Sequence, residues 1–431
     1  MNVLAVRETQ QVNQFTQKEE PVKVIKFRHP DESEKQQMNR NPQLELVPAV
    51  IKVVSAGGGG GNALNRMIKA ELCGVQFIAV NTDIQDLYKK SLADVKLQIG
   101  AKVTGGRGAG GHPEKGEKAA MEDQDAIAES LEGADMVFIT AGMGGGTGTG
   151  SVPVIAKIAR EMGALTIGVV TMPFEFEGRY RMKRAEDGIN KLREAVDTLI
   201  VIPNQHLFKV IDNTTSYDNA FHRADEVLCQ GVRGISDLIV KTGFKNVDFA
   251  DVETIMRSKG DALMGIGTGT GENRAIDAVT NAIDNPLLED TSIEGATGVL
   301  INIAGPQDIT LFEIQNIIKT VKDKCDPEVN LNHGILYDPA LGNSIQVTVI
   351  ATGFPQARHA GTNPAANVKP RDSEFLKIED FDKYRGMTKR SEYLDFLPPK
   401  DFQEDLDVPS VIRKHYSHVD ERQELAKAEN G

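Results

Sequence analysis

From Val47 onward, short apolar runs alternate with glycine turns and with stretches whose apolar side chains recur at three- and four-residue steps. Ala49 to Val54 leads into Gly57–Gly61, then a helical stretch at Asn62 to Leu72, then a strand at Phe77 to Val80. Strands at Met136 to Thr140, Leu165 to Val170 and Leu199 to Ile202 continue the series, with helical patterns between them. Runs that are apolar at every position suit strands buried on both faces, and the intervening helices supply the crossovers a parallel sheet requires. The pattern predicts a doubly wound α/β domain.

A long helix follows, from Asn219 to Thr242, with Phe221, Ala224, Leu228, Val232, Ile235 and Ile239 on one stripe and Gly243 placed to stop it. At 1.5 Å per residue it would span about 35 Å, so it reads as a spine between two domains. Beyond it, strands at Ala262 to Ile266, Gly298 to Ile303, Asn330 to Tyr337 and Ser344 to Ala351 alternate with helices at Asn273 to Ile283 and Leu311 to Lys324, a smaller α+β domain. The expected division is a flexible arm at 1–47, a nucleotide domain at 48–218, the central helix at 219–243 and the α+β domain at 244–354. A disordered linker at 355–404, a short amphipathic peptide at 405–414 and a polar tail at 415–431 complete it. Ser373–Leu376 and Ser391–Leu394 echo each other within the linker, which we read as chance rather than as a repeated docking motif.

At 431 residues and 40% apolar content the chain can build two ordinary domains plus unstructured ends. A net charge of -13 argues against binding nucleic acid through bulk electrostatics and points to nucleotides or proteins as partners. Cys73, Cys229 and Cys325 are too scattered for a disulfide framework or a cysteine-rich metal site, and a reducing cytoplasm fits them. The start lacks a signal peptide, and no apolar run approaches the ~20 residues needed to span a bilayer, so any membrane contact is expected to be indirect.

The densest candidate chemistry is Ala141–Ser151, where glycines and threonines stand between the strand at Met136 to Thr140 and a helix opened by Pro153 with Val154, Ile155, Ile158 and Ala159. Residues without a Cβ allow backbone N–H groups to converge on an anion at a helix N-terminus. No lysine follows, so this is not the G-x-x-x-x-G-K-[ST] loop, and backbone amides would supply most of the neutralisation. The bland alternative is a flexible linker. The first glycine turn supports two readings: Gly58-x-Gly60-x-x-Ala63 with Asp83 satisfies a dinucleotide fingerprint. That reading leaves unexplained both the turn at Gly142 and a third at Gly105–Gly111. Three glycine loops suit a triphosphate better than a single pyrophosphate.

The pairing of Gly57–Ala63 with Gly144–Gly150 resembles the tubulin-like GTPases, and among them the FtsZ family of bacterial cell-division proteins. Val80–Asp83, Pro173–Gly178, Asn246–Val252 and Asp407–Lys414 resemble the same family, so the likeness runs from about Val47 to Gly353 and returns at the tail. It implies that Gly58, Gly59, Gly60, Gly61 and Asn62, with Gly145, Gly146, Thr147, Gly148 and Thr149, hold the phosphates of GTP or GDP. Glu177 and Arg181 would contact ribose and phosphate. Phe221 would lie against guanine, with Asp225 and Asn81 bonding to it; a carboxylate suits guanine, which presents N1–H and an exocyclic amine. Each has a plainer alternative: Phe221 as core packing, Glu177 as a solvated first-turn acid.

Asp248 could merely cap a helix beginning near Phe249. If Phe221 and Asp225 hold the base, however, Asp248 and Asp251 lie about 30 Å away at the other end of the long helix. They could reach only a neighbour's nucleotide, in a head-to-tail stack that yields open filaments. The resemblance implies that arrangement, with Asn246, Asp248 and Asp251 entering the next subunit's pocket to position water and support Mg2+, itself held mainly through nucleotide and water. It further implies a division-ring filament protein at mid-cell in the cytoplasm. Leu406, Asp407, Pro409, Ile412 and Arg413 would bind a membrane adaptor such as FtsA or ZipA, with no nucleic acid and no direct membrane insertion. Three departures from the family's usual pattern stand out: the long arm before Val47, Gly111-His112 in the third loop, and residues 415–431. Two other classes remain open, an NAD oxidoreductase and a nucleotide-binding scaffold without hydrolysis.

Overall fold

A computed structural model describes residues 49–209, 215–241, 243–285 and 293–354. The expectations for the arm, the linker, the amphipathic peptide and the polar tail lie outside them. The strands are β1 (Ile51–Ala56), β2 (Val75–Asn81), β3 (Val95–Gln98), β4 (Met136–Gly142), β5 (Leu165–Met172), β6 (Thr198–Pro203), β7 (Gly260–Gly269), β8 (Gly298–Gly305), β9 (Asn330–Tyr337) and β10 (Ile345–Thr352). The helices are α1 (Gly57–Lys69), α2 (Ile84–Lys90), α3 (Ala101–Thr104), α4 (Pro113–Glu122), α5 (Gln124–Leu131), α6 (Thr147–Glu161), α7 (Arg179–Ala195), α8 (Tyr217–Val240), α9 (Phe249–Met256), α10 (Arg274–Ile283) and α11 (Leu311–Lys322).

The strands join one ten-stranded sheet in the order β3-β2-β1-β4-β5-β6-β7-β10-β8-β9. Neighbours are parallel from β3 through β7, as the alternation of apolar runs and helices predicts. Next, β10 pairs antiparallel with both β7 and β8, and β8 pairs parallel with β9. Strand order reverses at β1, whose Ile51 registers with Val75 of β2 on one side and Met136 of β4 on the other. In open α/β sheets, ligands sit beyond the carboxyl ends of strands at such a switch point.

The apolar runs are buried on both faces because successive side chains point opposite ways. Met136 and Phe138 of β4 join a core with Leu64 and Met67 of α1 and Leu228, Val232 and Ile235 of α8. Val137 and Ile139 join a second core with Val152 and Ile155 of α6 and Leu192 of α7. A third unites Ala278 and Val279 of α10 with Ile317 of α11 and Val299, Ile301, Val347 and Val349 of the sheet. The central helix α8 lies across both regions of the sheet. A Cβ on Gly231 would stand 3.1 Å from Val169, and one on Gly234 would stand 2.9 Å from Thr348, so glycine at both positions lets the helix settle close to the strands.

Two helix boundaries differ from expectation. Helix α1 begins at Gly57 rather than Asn62, and α6 begins at Thr147, leaving Pro153 inside it rather than at its opening. Glycine costs about 1 kcal/mol in a helix interior, yet close packing outweighs that cost here. A Cβ on Gly60 would lie 2.6 Å from the Thr140 carbonyl oxygen, and one on Gly150 would lie 1.9 Å from that of Pro113. At its own ends α8 follows the pattern more closely. Ser216 Oγ accepts from the Asn219 N–H at 3.4 Å, and the helix ends at Val240 before Gly243. Among the described residues, no helix is long and apolar enough to cross a membrane, and the three cysteines are free thiols.

Candidate active site

At the carboxyl ends of β1, β4, β5 and β6 a cavity of about 780 Å³ opens, reached by Ala56, Gly142, Thr171 and, just past β6, Asn204. Its floor is built from two helix starts, Gly57–Gly59 of α1 and Gly145–Gly148 at the head of α6. Gly57 has φ +71°, and a Cβ there would meet the Gly148 nitrogen at 3.0 Å, so the two turns abut backbone to backbone. Two helix N-termini rich in glycine line this one space, an arrangement whose backbone suits a phosphate group. Asn62 and Thr147 line it as well.

The outer wall carries Glu177 and Arg181, paired at 2.9 Å. Glu177 is not the solvated acid of the plainer reading: its side chain is only 8% exposed, and one oxygen accepts the Phe174 N–H at 2.8 Å. Phe221 and Asp225 stand on the first turns of α8 at the far end of the cavity. Phe221 packs and lines the cavity at once, its ring meeting Phe174 edge-on at 5.2 Å. Burial pushes the Asp225 carboxyl up to about 6, with Arg66 of α1, whose Nε donates at 3.4 Å, acting in opposition. Gly57 and Arg66 are separated by about 13 Å along α1, a span suited to a nucleotide from phosphates to base.

Four expected ligands are placed otherwise. Asn81 does not line the cavity beside Phe221 and Asp225; its amide donates to Asp86 at 2.9 Å in a depression shared with Gly58, Asp83 and Thr147. Gly60 and Gly61 lie off the cavity, Gly60 pressed on the Thr140 carbonyl and Gly61 beside Asn81 and Asp86. Thr149 is buried, and its hydroxyl accepts the Gly144 N–H at 2.8 Å, shaping the loop from within. The third glycine loop forms a support: a Cβ on Gly146 would meet Ala109 at 2.8 Å and the His112 nitrogen at 2.9 Å. Asp83, the acid of the dinucleotide fingerprint, caps α2 instead, accepting from the Gln85 and Asp86 N–H groups at 2.8 and 3.3 Å.

Comparison with known proteins agrees with this geometry. A family model described as the tubulin/FtsZ family GTPase domain matches residues 50–212, and one for the FtsZ family C-terminal domain matches 260–355. An empty FtsZ dimer from M. jannaschii is 44% identical, with a TM-score of 0.69, over 75% of this chain and 92% of that one. The chain belongs to the FtsZ family. A point mutant of the M. jannaschii protein is likewise 44% identical, with a TM-score of 0.71, over 76% of this chain and 97% of its own. CetZ1 from Haloferax volcanii, as a GDP-bound monomer, shares the fold at 21% identity and a TM-score of 0.62, over 71% and 94% of the two chains. The cavity therefore belongs to a GTPase domain of the tubulin/FtsZ family.

The remaining expected residues of this FtsZ-family chain lie elsewhere. Asn246, Asp248 and Asp251 are exposed and absent from the cavity lining. Their loop is stitched to β9, where the Ile335 N–H donates to the Lys245 carbonyl at 2.9 Å, and Asn246 Oδ1 accepts the Gly243 N–H at 2.7 Å. Asp248 occupies the N-cap position of α9, but its carboxylate makes no cap bond; its carbonyl oxygen receives the Asp251 and Val252 N–H groups. The capping alternative is thus not realised by the side chain. Among the described residues, no group of three or more His, Cys, Asp or Glu side chains could hold a metal ion.

Among the cavity residues missed in the sequence are Asn204 and Arg66. Asn204 is buried, lines the cavity and has no partner for Oδ1 among the described residues, so an acceptor is left for a ligand. A lone Asn after Pro203 gives no periodic signal. Arg66 sits on the polar stripe of an amphipathic helix, where an arginine reads as solvated.

Proposed function

We propose that this protein binds GTP in the cavity and polymerises head to tail, each subunit's Asp248 and Asp251 completing hydrolysis in its neighbour's pocket. The observation that carries this reading is the placement of two half-sites at opposite ends of α8. Phe221 and Asp225 lie near its start, and the exposed acids follow its end, about 30 Å away. Phosphoryl transfer asks a protein mainly for positioning and electrostatic stabilisation. Backbone amides of Gly57–Gly59 and Gly145–Gly148 would hold the phosphates, Asp225 and Asn204 the base, and Asp248 and Asp251 would orient water. A magnesium ion would be held mainly through nucleotide and water. Asn246 would position the loop through its bond to Gly243.

One relative supports assembly, the FtsZ dimer from M. jannaschii, and a second, CetZ2 from Haloferax volcanii as a GTPγS-bound protofilament, shares the fold. At 20% identity the latter speaks for the fold alone. We assign the chain to the division ring at mid-cell, in the cytoplasm, with 48–218 as the GTP-binding domain, 219–243 as the connecting helix and 244–354 as the second domain. The 405–414 peptide, with Leu406, Asp407, Pro409, Ile412 and Arg413, would dock to a membrane adaptor such as FtsA or ZipA at the end of a linker spanning 355–404. An oxidoreductase is disfavoured because Asp83 is engaged as a helix cap. The deciding measurement is phosphate release per subunit against protein concentration. It should rise above a threshold, whereas turnover independent of concentration would refute hydrolysis across subunits.

A further inference from the structure

Asp225 matches a guanine edge only while it is ionised. Two carboxylate oxygens accept from two donors, whereas a protonated carboxyl would set its own O–H against one of them. The side chain is 16% exposed, and burial works against the charge. Facing groups come from several elements: Arg66 and Lys69 from α1, Glu177 and Arg181 from the opposite wall, Asp218 and His222 from α8 itself. The turn after β6 contributes the uncharged Asn204 to the lining, with His206 and Lys209 further along it, and β5 contributes Thr171. Among the described residues only Arg66 bonds to the Asp225 carboxylate, through Nε at 3.4 Å to Oδ2.

We infer that Arg66 is a positioning residue that sets nucleotide specificity: its guanidinium keeps the Asp225 carboxylate ionised and fixed as a pair of acceptors at the base end of the cavity. This rests on the reading of Asp225 as the residue that contacts the base. The guanidinium suits the task because it stays charged under all working conditions and reaches the carboxylate with Nε, leaving its other N–H groups for the cavity. Its place on α1 matters as well. The same helix begins with Gly57–Gly59, so the phosphate cradle and the cation behind the base contact are fixed to one rigid element. Without Arg66, desolvation acts unopposed, and the balance at Asp225 moves further towards the protonated carboxyl.

The test is calorimetric GDP affinity of the full-length chain between pH 5 and 8.5, for the parent, Arg66→Gln, Arg66→Lys, Asp225→Asn and the double variant Arg66→Gln/Asp225→Asn. GDP avoids turnover during the titration. In the parent, affinity should fall about tenfold per pH unit below the point where Asp225 takes up its proton. In Arg66→Gln that fall should begin about one pH unit higher, giving a roughly twofold loss at neutral pH that grows towards about tenfold near pH 5 and vanishes as pH rises, with a narrowed preference for GDP over ADP. Arg66→Lys should recover much of the parent profile. Asp225→Asn should lose the pH dependence, and the double variant should regain none. A loss in Arg66→Gln of equal size at every pH, or no loss, overturns the inference while leaving Asp225 in place as the base contact. An Asp225→Asn profile identical to the parent's overturns both, by removing Asp225 from the site.

Discussion

Gly150→Ala and Gly145→Ala make the same chemical change five residues apart, and the structure separates their consequences. A Cβ on Gly150 would stand 1.9 Å from the Pro113 carbonyl oxygen and 2.6 Å from the Glu117 nitrogen, both backbone atoms of α4. Ordinary contact needs about 3.4 Å, so α4 and α6 would have to part by about 1.5 Å. Overpacking of that kind costs about 1–3 kcal/mol, against a gain of about 1 kcal/mol for Ala over Gly within a helix. Taking the upper end for a clash with backbone gives a net loss of about 2 kcal/mol, or a melting temperature lower by about 4–8 °C. The displacement would not stay local. Gly116 of α4 leaves only 2.3 Å between its own Cβ position and the Gly146 carbonyl, and Gly146 lines the cavity, so GDP affinity should fall too.

Gly145 has no atom within 4 Å of its Cβ position and lines the cavity itself. Gly145→Ala should melt within about 1 °C of the parent, since an open surface change shifts stability by about 0.5 kcal/mol or less, yet it should weaken GDP binding by intruding on the phosphates. The assay is nucleotide-free thermal unfolding at one scan rate, followed by GDP titration of each variant. Equal melting temperatures for parent and Gly150→Ala, or an equal loss in Gly145→Ala, would refute the argument that these glycines differ in kind.

Asp225 carries a stability cost that depends on pH. Its folded carboxyl titrates at about 6 against an ordinary 3.8, so the folded state holds the proton more tightly, and this group's contribution is full below about pH 4 and lost as pH rises through 6. The difference of about 2 pH units corresponds to about 3 kcal/mol. Nucleotide-free Asp225→Asn should therefore resist urea better than the parent at pH 7.5 by about 1–3 kcal/mol, with the gap closing at pH 4.5; a less stable variant at pH 7.5 would contradict the burial argument. Asp251→Ala should bind GTP and sediment as polymer while releasing phosphate poorly, and near-normal turnover would remove Asp251 from the mechanism. Truncation after Glu404 should abolish adaptor binding in a pull-down and leave GTP turnover intact; retained binding would end the assignment of the tail peptide.

The strands were legible because a parallel sheet covered on both faces leaves almost no polar position, and runs such as Met136–Thr140 are short and rich in β-branched and aromatic residues. Helix starts were less legible. Gly57–Gly61 and Gly146–Gly150 have the composition of turns, and only the approach of Thr140 and Pro113 explains why glycine is tolerated inside α1 and α6. Residue placement across the sheet was harder still. Asn81 and Asp225 could share a base contact on paper, but Asn81 ends β2, two strands away from β4, and turns to Asp86. Arg66 and Asp225 lie on different helices, and nothing in their spacing announces the contact that brings them together.

Asp248 and Asp251 follow the end of α8, whose first turns line the cavity. Leu228, Val232, Ile235 and Leu238 of α8 are buried along its length, each contributing about 1.5–3 kcal/mol, so the helix cannot fold back without exposing them. The loop beyond it is held in turn by the bridge between Lys245 and Ile335, and Asp248 and Asp251 on that loop are exposed. At 1.5 Å per residue, α8 keeps Phe221 and the loop after Val240 about 30 Å apart. On the proposed reading that separation is what makes turnover report assembly: the glycine turns at Gly57 and Gly145 can hold a nucleotide in a lone subunit, but cleavage waits for the exposed end of another.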